Sequence, residues 1–239
     1  MNYILKKLIN KIIFYKDFIA KLLIINSLFF RYKIIRIVIY YLLSNIYIIK
    51  DLNRLKFILN KKKIKLTENS LIIDIGANVG ITSIFFYDNY KSNILSYEPN
   101  PVCYKFFKEN IRIKKIKIYK QAVSNANKYS KLYLANYQSG NNLLYSGSSS
   151  LDKNKNNIDK LQFLKVKTKS ISNIINNFKR IDLIKINIEG EEYKILPYLL
   201  NNISKIGIIF CELHENKKKK TLIKFLKHKK LLNNKFYLW

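Results

Sequence analysis

Residues 71–80 read Leu-Ile-Ile-Asp-Ile-Gly-Ala-Asn-Val-Gly. An apolar run stops in an acid and is followed by two spaced glycines, the way a buried parallel strand hands over to a ligand-binding loop and then a helix. Residues 71–73 supply the strand core, and Asp74 stands toward its carboxyl end. Gly76 and Gly80 carry no Cβ, so the backbone turns tightly there and lets a ligand approach. Downstream, Ile94-Leu95-Ser96-Tyr97-Glu98 reads as a second strand that again ends in an acid. An acid at that position accepts hydrogen bonds from a ribose diol. The order strand, loop, helix, strand, acid points to a cofactor that contains a nucleoside.

The loop is not a phosphate loop, because no Gly-Lys-Ser/Thr follows it. Asn78 fills the place of the middle glycine of a dinucleotide fingerprint, which argues against a pyrophosphate ligand. An acid at the start and no cationic anchor suit a cationic ligand. S-adenosylmethionine, a sulfonium with an α-ammonium group, meets that requirement.

Three stretches, 74–80 (Asp-Ile-Gly-Ala-Asn-Val-Gly), 97–101 (Tyr-Glu-Pro-Asn-Pro) and 121–124 (Gln-Ala-Val-Ser), resemble the successive cofactor motifs of FkbM-type methyltransferases. Two more extend the match: Gly147-Ser148-Ser149-Ser150-Leu151, and Ile-Asp-Leu-Ile-Lys-Ile-Asn-Ile-Glu-Gly at 181–190. The resemblance runs in order from about residue 68 to 215. It implies an α/β fold, a doubly wound and mostly parallel class I methyltransferase (Rossmann-like) sheet. It also implies transfer of a methyl group to a hydroxyl of a glycan, lipid-linked sugar or natural product. Asn187 stands where the family normally has Asp. The chain also offers one closing strand, at 235–239, where this class usually ends in an antiparallel pair.

The organisation expected is a helical N-terminal extension over 1–65 and a catalytic domain over 66–239, with an inserted β-hairpin at about 129–168. Leu5, Leu8, Ile12, Ile19, Leu22 and Leu23 fall near one helix face, with Lys7, Lys11 and Lys21 elsewhere. The apolar stretch 37–49 is short for a membrane span, which needs about 20 residues, and no signal-peptide pattern opens the chain. Residues 1–60 therefore read either as a cap on the substrate side or as a basic amphipathic surface in peripheral membrane contact. A cytoplasmic protein, at the inner membrane surface in the second reading, is expected.

The formal net charge is +30, from 45 Lys+Arg against 15 Asp+Glu. Such a balance usually suggests nucleic acid or an anionic membrane. Here Lys, Ile, Asn, Tyr and Phe dominate together, as A/T-rich codons dictate, and Arg, the better bidentate reader of phosphates and guanine, is scarce. Nucleic acid is not the expected partner. Cys103 and Cys211 fall in apolar segments without metal-ligand spacing, so neither a disulfide framework nor a metal site is expected.

Strands are expected at 71–75, 93–98, 115–120, 182–187, 206–212 and 235–239. Helices are expected near 80–89, 101–112, 170–178, 190–200 and 217–230. The strand from residue 182 carries a polar line, Lys185, Asn187 and Glu189, where an interior strand should be apolar. Glu212 and His214 end the next strand in the same way. Such a line needs partners or a ligand, because burying unpaired charge is costly.

Asp74, Gly76, Asn78, Gly80, Glu98 and Ser124 are the candidate cofactor residues: Asp74 and the loop for the amino-acid portion, Glu98 for the ribose, and 122–124 for the adenine edge. His214 is the candidate base, neutral near pH 7, with Glu189 and Glu212 orienting it or binding hydroxyls. Lys185, Asn187 and Ser150 are the candidate substrate contacts; Lys185 alternatively pairs with a carboxylate inside the fold. Two other functions fit the sequence: a nucleic-acid methyltransferase, against which no Asn/Asp-Pro-Pro-aromatic motif follows the fourth strand, and a degenerate, membrane-docked scaffold that no longer catalyses.

Overall fold

The computed structural model describes residues 46–135, 149–156 and 158–238, with side chains from residue 54 onward. The expected helices before Ile46, the insertion tip with Gly147 and Ser148, and Trp239 lie outside the described residues. The chain divides into two compact units, Met1–Asn53 and Arg54–Trp239. The second unit holds every strand among the described residues, and the cofactor motifs.

The elements are α1 (Ile46–Lys61), which begins in the first unit, β1 (Leu71–Ile75), α2 (Ile81–Tyr90), β2 (Asn93–Tyr97), α3 (Pro101–Asn110), β3 (Ile116–Tyr119), β4 (Ala122–Ser124), β5 (Tyr129–Ala135), β6 (Ile158–Ser170), α4 (Ile171–Asn176), β7 (Ile181–Ile186), α5 (Glu192–Asn201), β8 (Ile206–Cys211), α6 (Lys219–His228) and β9 (Phe236–Leu238). Six strands form one sheet in the order β3-β2-β1-β7-β8-β9, and every pair in it is parallel. The expected α/β doubly wound sheet is what the chain adopts.

Alternation within each strand loads the two faces. Ile73, Ile75, Ile184, Ile186 and Ile209 share a core with Ile195 and Leu199 of α5 and with α4. Ile72, Leu183, Ile208 and Phe210 pack on the other face with Phe86 of α2, Phe107 of α3 and Leu55 and Leu59 of α1. Burying both faces is what lets these strands be almost wholly apolar. It also leaves the carboxyl strand ends as the place for a ligand.

The one closing strand expected at 235–239 forms, as β9. β9 does not belong to an antiparallel pair; it lies beside β8 and runs parallel to it, Ile209 opposite Phe236 and Cys211 opposite Leu238. The crossover through α6 is the reason, since a helix between two strands returns the chain to the end where it started. The insertion forms a second sheet, β4-β6-β5, in which β5 pairs antiparallel with β6 as a hairpin and β4 pairs parallel with the end of β6. Among the described residues no helix is long and apolar enough to cross a membrane.

Candidate active site

The loop after β1 is shaped by contacts only glycine permits. Gly76 sits at φ +79°, and a Cβ there would lie 1.8 Å from the Asn187 carbonyl oxygen. Gly80, at φ +94°, would drive a Cβ to 2.6 Å from the Phe107 ring. Between them Asn78 adopts a left-handed φ of 51°, which Asn tolerates better than most residues. The Gly76 and Ala77 N–H groups both donate to the Tyr97 carbonyl at 3.0 Å, and the Asn187 N–H donates to the Ile75 carbonyl at 3.0 Å. Three strand ends are thus tied at one point.

Beneath the loop lies a buried polar network. Asp74 is fully buried and stands opposite Lys185 on β7 and Ser96 on β2. Lys185 Nζ lies 3.1 Å from Asp74 Oδ1, an ion pair without hydrogen-bond alignment, and donates to the Gly76 carbonyl at 2.7 Å. Ser83 Oγ donates to Asp74 Oδ2 at 2.7 Å and lies 2.8 Å from Ser96 Oγ. Of the two readings of Lys185, the structure has the internal pair. Asp74 and Lys185 bear on a ligand through the loop they hold.

Glu98 sits at the tip of β2, 7 % exposed. Its carboxylate accepts from the Asn78 N–H and the Asn100 N–H, each at 2.8 Å. Burial raises its pKa to about 7, against the lowering effect of those two N–H groups and of Lys185. Each oxygen keeps acceptor capacity for a hydroxyl. Asn78 Oδ1, Asn187 Oδ1 and Asn100 Nδ2 are buried without a hydrogen-bond partner among the described residues. Buried polar atoms are rarely left unpaired without a reason such as a ligand.

The polar line of β7 and β8 converges beyond the strand ends. Glu189 has a left-handed φ of 59°, and its carbonyl accepts from Ser150 Oγ at 2.6 Å. Its carboxylate pairs with Lys155 and lies 3.0 Å from His214 Nε2. The other imidazole nitrogen, Nδ1, lies 2.7 Å from Glu192, which is fully buried. Glu212 stands 3.7 Å from His214 Nε2 and is about one-third exposed.

Burial alone would lower the His214 pKa, but the hydrogen bonds to Glu189 and Glu192 and their charges raise it to about 10. The expectation of a neutral imidazole near pH 7 is therefore corrected: His214 is a cation held between carboxylates. Burial pushes Glu189 upward, yet His214 and Lys155 together hold it below the usual carboxylate range.

The structure brings His214, Glu189 and Glu212 together as expected and ties Ser150 to the same turn. Ser124 is buried and donates to Glu191, which also binds Lys194 at 2.8 Å. Glu191, Glu192 and Lys155 are site residues that the sequence reading missed. For the two acids the signal was the grouping of Glu189, Glu191 and Glu192 at the start of α5, where acids favour the helix start; nothing in the sequence marked Lys155.

Residues 74–236 match the family described as the methyltransferase FkbM domain, and the chain belongs to that family. Among curated proteins it is 28% identical over 145 residues to methyltransferase 1 of Beauveria bassiana, covering 54% of this chain and 58% of that one. It is 26% identical over 160 residues to methyltransferase sdnD of Sordaria araneosa, covering 55% and 61%. The alignments thus span about three fifths of these relatives' length.

Among solved structures it is similar to the FkbM methyltransferase of Methylobacillus flagellatus KT, with 13% identity, TM-score 0.38, and coverage of 59% of this chain and 32% of that chain. It is also similar to the N-terminal domain of human METTL16 in complex with SAH, with 14% identity, TM-score 0.40, and coverage of 75% and 61%. The cofactor of this family is S-adenosylmethionine. The donor set fits it: the amide oxygens of Asn78 and Asn187, left without partners among the described residues, suit an ammonium group, and Glu98 suits a diol.

Proposed function

We propose that this FkbM-family methyltransferase methylates a hydroxyl oxygen of a glycan, lipid-linked sugar or natural product, giving a methyl ether. The observation that carries the reading is the cluster of Glu189, Glu212 and cationic His214 beyond β7 and β8. Carboxylates in such a place accept hydrogen bonds from sugar-type hydroxyls. The chain after β7 reads Asn187-Ile188-Glu189-Gly190, unlike the Asn/Asp-Pro-Pro-aromatic sequence of amino-methylating enzymes.

When bound, S-adenosylmethionine supplies an electrophilic methyl group on a good leaving group. Glu98 would accept from the ribose hydroxyls, and the amide oxygens of Asn78 and Asn187 would accept from the ammonium. Lys185 and Asp74 keep the 76–80 loop in place, so the methyl donor is positioned without rearrangement at the moment of reaction. Glu189 or Glu212 orients the acceptor hydroxyl and takes its proton as the new carbon–oxygen bond forms. His214, already protonated, keeps the neighbouring carboxylate ionised for that task. A base in this role contributes about 10²–10⁴-fold.

The test is incubation with methyl-labelled cofactor and a panel of sugar phosphates, glycolipids and polyhydroxylated small molecules. Label in a product stable to mild alkali supports an ether. Label released by alkali as methanol would mean carboxyl methylation and would overturn the hydroxyl assignment.

A further inference from the structure

A cavity of about 440 Å³ shares no lining residue with the carboxylate cluster. Pro99 and Pro101 form part of its wall, with Lys120, Tyr129, Lys165 and Lys167 also lining it. Its size lies in the range of small-molecule sites, about 300–1,000 Å³. No acid lines it.

The charge around it is uncompensated. Lys165 and Lys167 place their ammonium groups 4.8 Å and 5.8 Å from the centre of the same ring, that of Tyr129. Lys131 stands directly opposite Lys165 in the antiparallel register of β5 and β6. Like charges directly opposite across a strand pair are destabilising. Among the described residues none of Lys120, Lys131, Lys165 and Lys167 has a carboxylate within ion-pair distance. Among the described residues many other lysines are simply exposed. Lys120, Lys165 and Lys167 differ in lining one cavity, the last two on a hairpin whose inner side is fixed by Leu132 and Val166, while the Lys131 ammonium lies 4.1 Å from the centre of the Phe163 ring.

We infer that this cavity binds a phosphoryl or pyrophosphoryl group. Tyr129 and the prolines offer an apolar wall for the sugar or chain that carries it, and the lysines act as point charges for the phosphate. The cavity begins one residue after Glu98, so the site belongs to the same end of the sheet as the cofactor loop. Assignment of the group to the methyl acceptor rests on the function proposed above: it makes the acceptor a phosphorylated one. The anion site itself does not depend on that reading.

The experiment is calorimetric titration of the full chain with inorganic pyrophosphate, and co-sedimentation with phosphatidylglycerol vesicles, at one fixed ionic strength. The variants are the triple substitution Lys120→Ser, Lys165→Ser, Lys167→Ser and a charge-matched control, Lys217→Ser, Lys218→Ser, Lys220→Ser. The site triple is expected to weaken pyrophosphate binding at least tenfold and the control less than twofold. Affinity for S-adenosylhomocysteine should be unchanged in both. If the site triple does not fold, Lys165→Gln serves instead, and its ligand-free melting temperature should rise as the facing charge on Lys131 is relieved.

Site-specific binding to soluble pyrophosphate alone supports a soluble phosphorylated ligand. Equally site-specific binding to vesicles supports a lipid-borne one. Equal weakening by both triples, or no binding at all, would overturn the inference. So would single-stranded RNA outcompeting pyrophosphate at the same lysines. Absence of S-adenosylhomocysteine binding would defeat the methyltransferase reading and leave the anion site standing.

Discussion

Lys185→Met keeps most of the side chain's length and removes its charge. Asp74, fully buried, would then keep only the hydrogen bond from Ser83 Oγ and no opposite charge, and the Gly76 carbonyl would lose its Lys185 donor. Removing one partner of a buried ion pair costs about 3–5 kcal/mol, because the other charge stays behind unpaired. In a domain of this size each kcal/mol moves the midpoint by roughly 2–4 °C, so a fall of about 6–20 °C is expected. The double variant Asp74→Leu, Lys185→Met removes both charges and should recover most of that loss, since apolar replacement of a buried pair is often neutral. Urea unfolding of the wild type, both singles and the double gives the coupling energy directly. The recovered double should still bind S-adenosylhomocysteine at least tenfold more weakly, because nothing then fixes the Gly76 carbonyl. A single-variant cost below about 1 kcal/mol, well under the range for a broken buried pair, would refute the role given to this network. So would a double variant as unstable as the sum of the singles.

Glu98 titrates near 7 in the fold against 4.5 ordinarily. Between those values the folded state holds the extra proton, so this group makes stability fall as pH rises through the window. Its ionised form is the better acceptor, so S-adenosylhomocysteine affinity should increase from about pH 6 to 8, and Glu98→Gln should flatten that dependence in calorimetry. His214, with its pKa raised to about 10 from 6.5, stabilises fully below the lower value and loses the contribution as pH rises through the upper one. His214→Gln should abolish that alkaline limb in thermal melts. At saturating cofactor, kcat should show no limb near 6.5; one appearing there would restore a neutral histidine base. Glu189→Gln and Glu212→Gln, assayed separately, should reveal the base as the one that lowers kcat by about 10²–10⁴-fold. Asn187→Leu removes a buried acceptor that has no partner among the described residues, so unfolding should change by less than about 1 kcal/mol while S-adenosylhomocysteine affinity drops.

Much of the sheet was legible because its signals are local. The strand Leu71–Ile75 has the bounds its apolar run suggests, and Glu98 lies where a strand-ending acid should. What was not legible depends on neighbours distant in sequence. The polar line through Lys185 was visible, but nothing in 181–190 names Asp74 as the partner; the register of β1 against β7 decides it. Histidine's ordinary pKa suggested a neutral base, and Glu192, delivered from the start of α5, overrides it. Glu191 and Glu192 look like ordinary acids at a helix start until Ser124 and His214 arrive beside them. The direction of β9 was not legible, because residues 235–239 read the same either way and only the α6 crossover fixes it.

Whether the 76–80 loop and Glu98 form a working cofactor site is tested most directly by calorimetry. The full chain is titrated with S-adenosylmethionine and S-adenosylhomocysteine, with Glu98→Ala as the control. One equivalent binding with a dissociation constant of about micromolar order, and lost in Glu98→Ala, is the predicted result. No heat of binding from wild-type protein shown to be folded would contradict the claim.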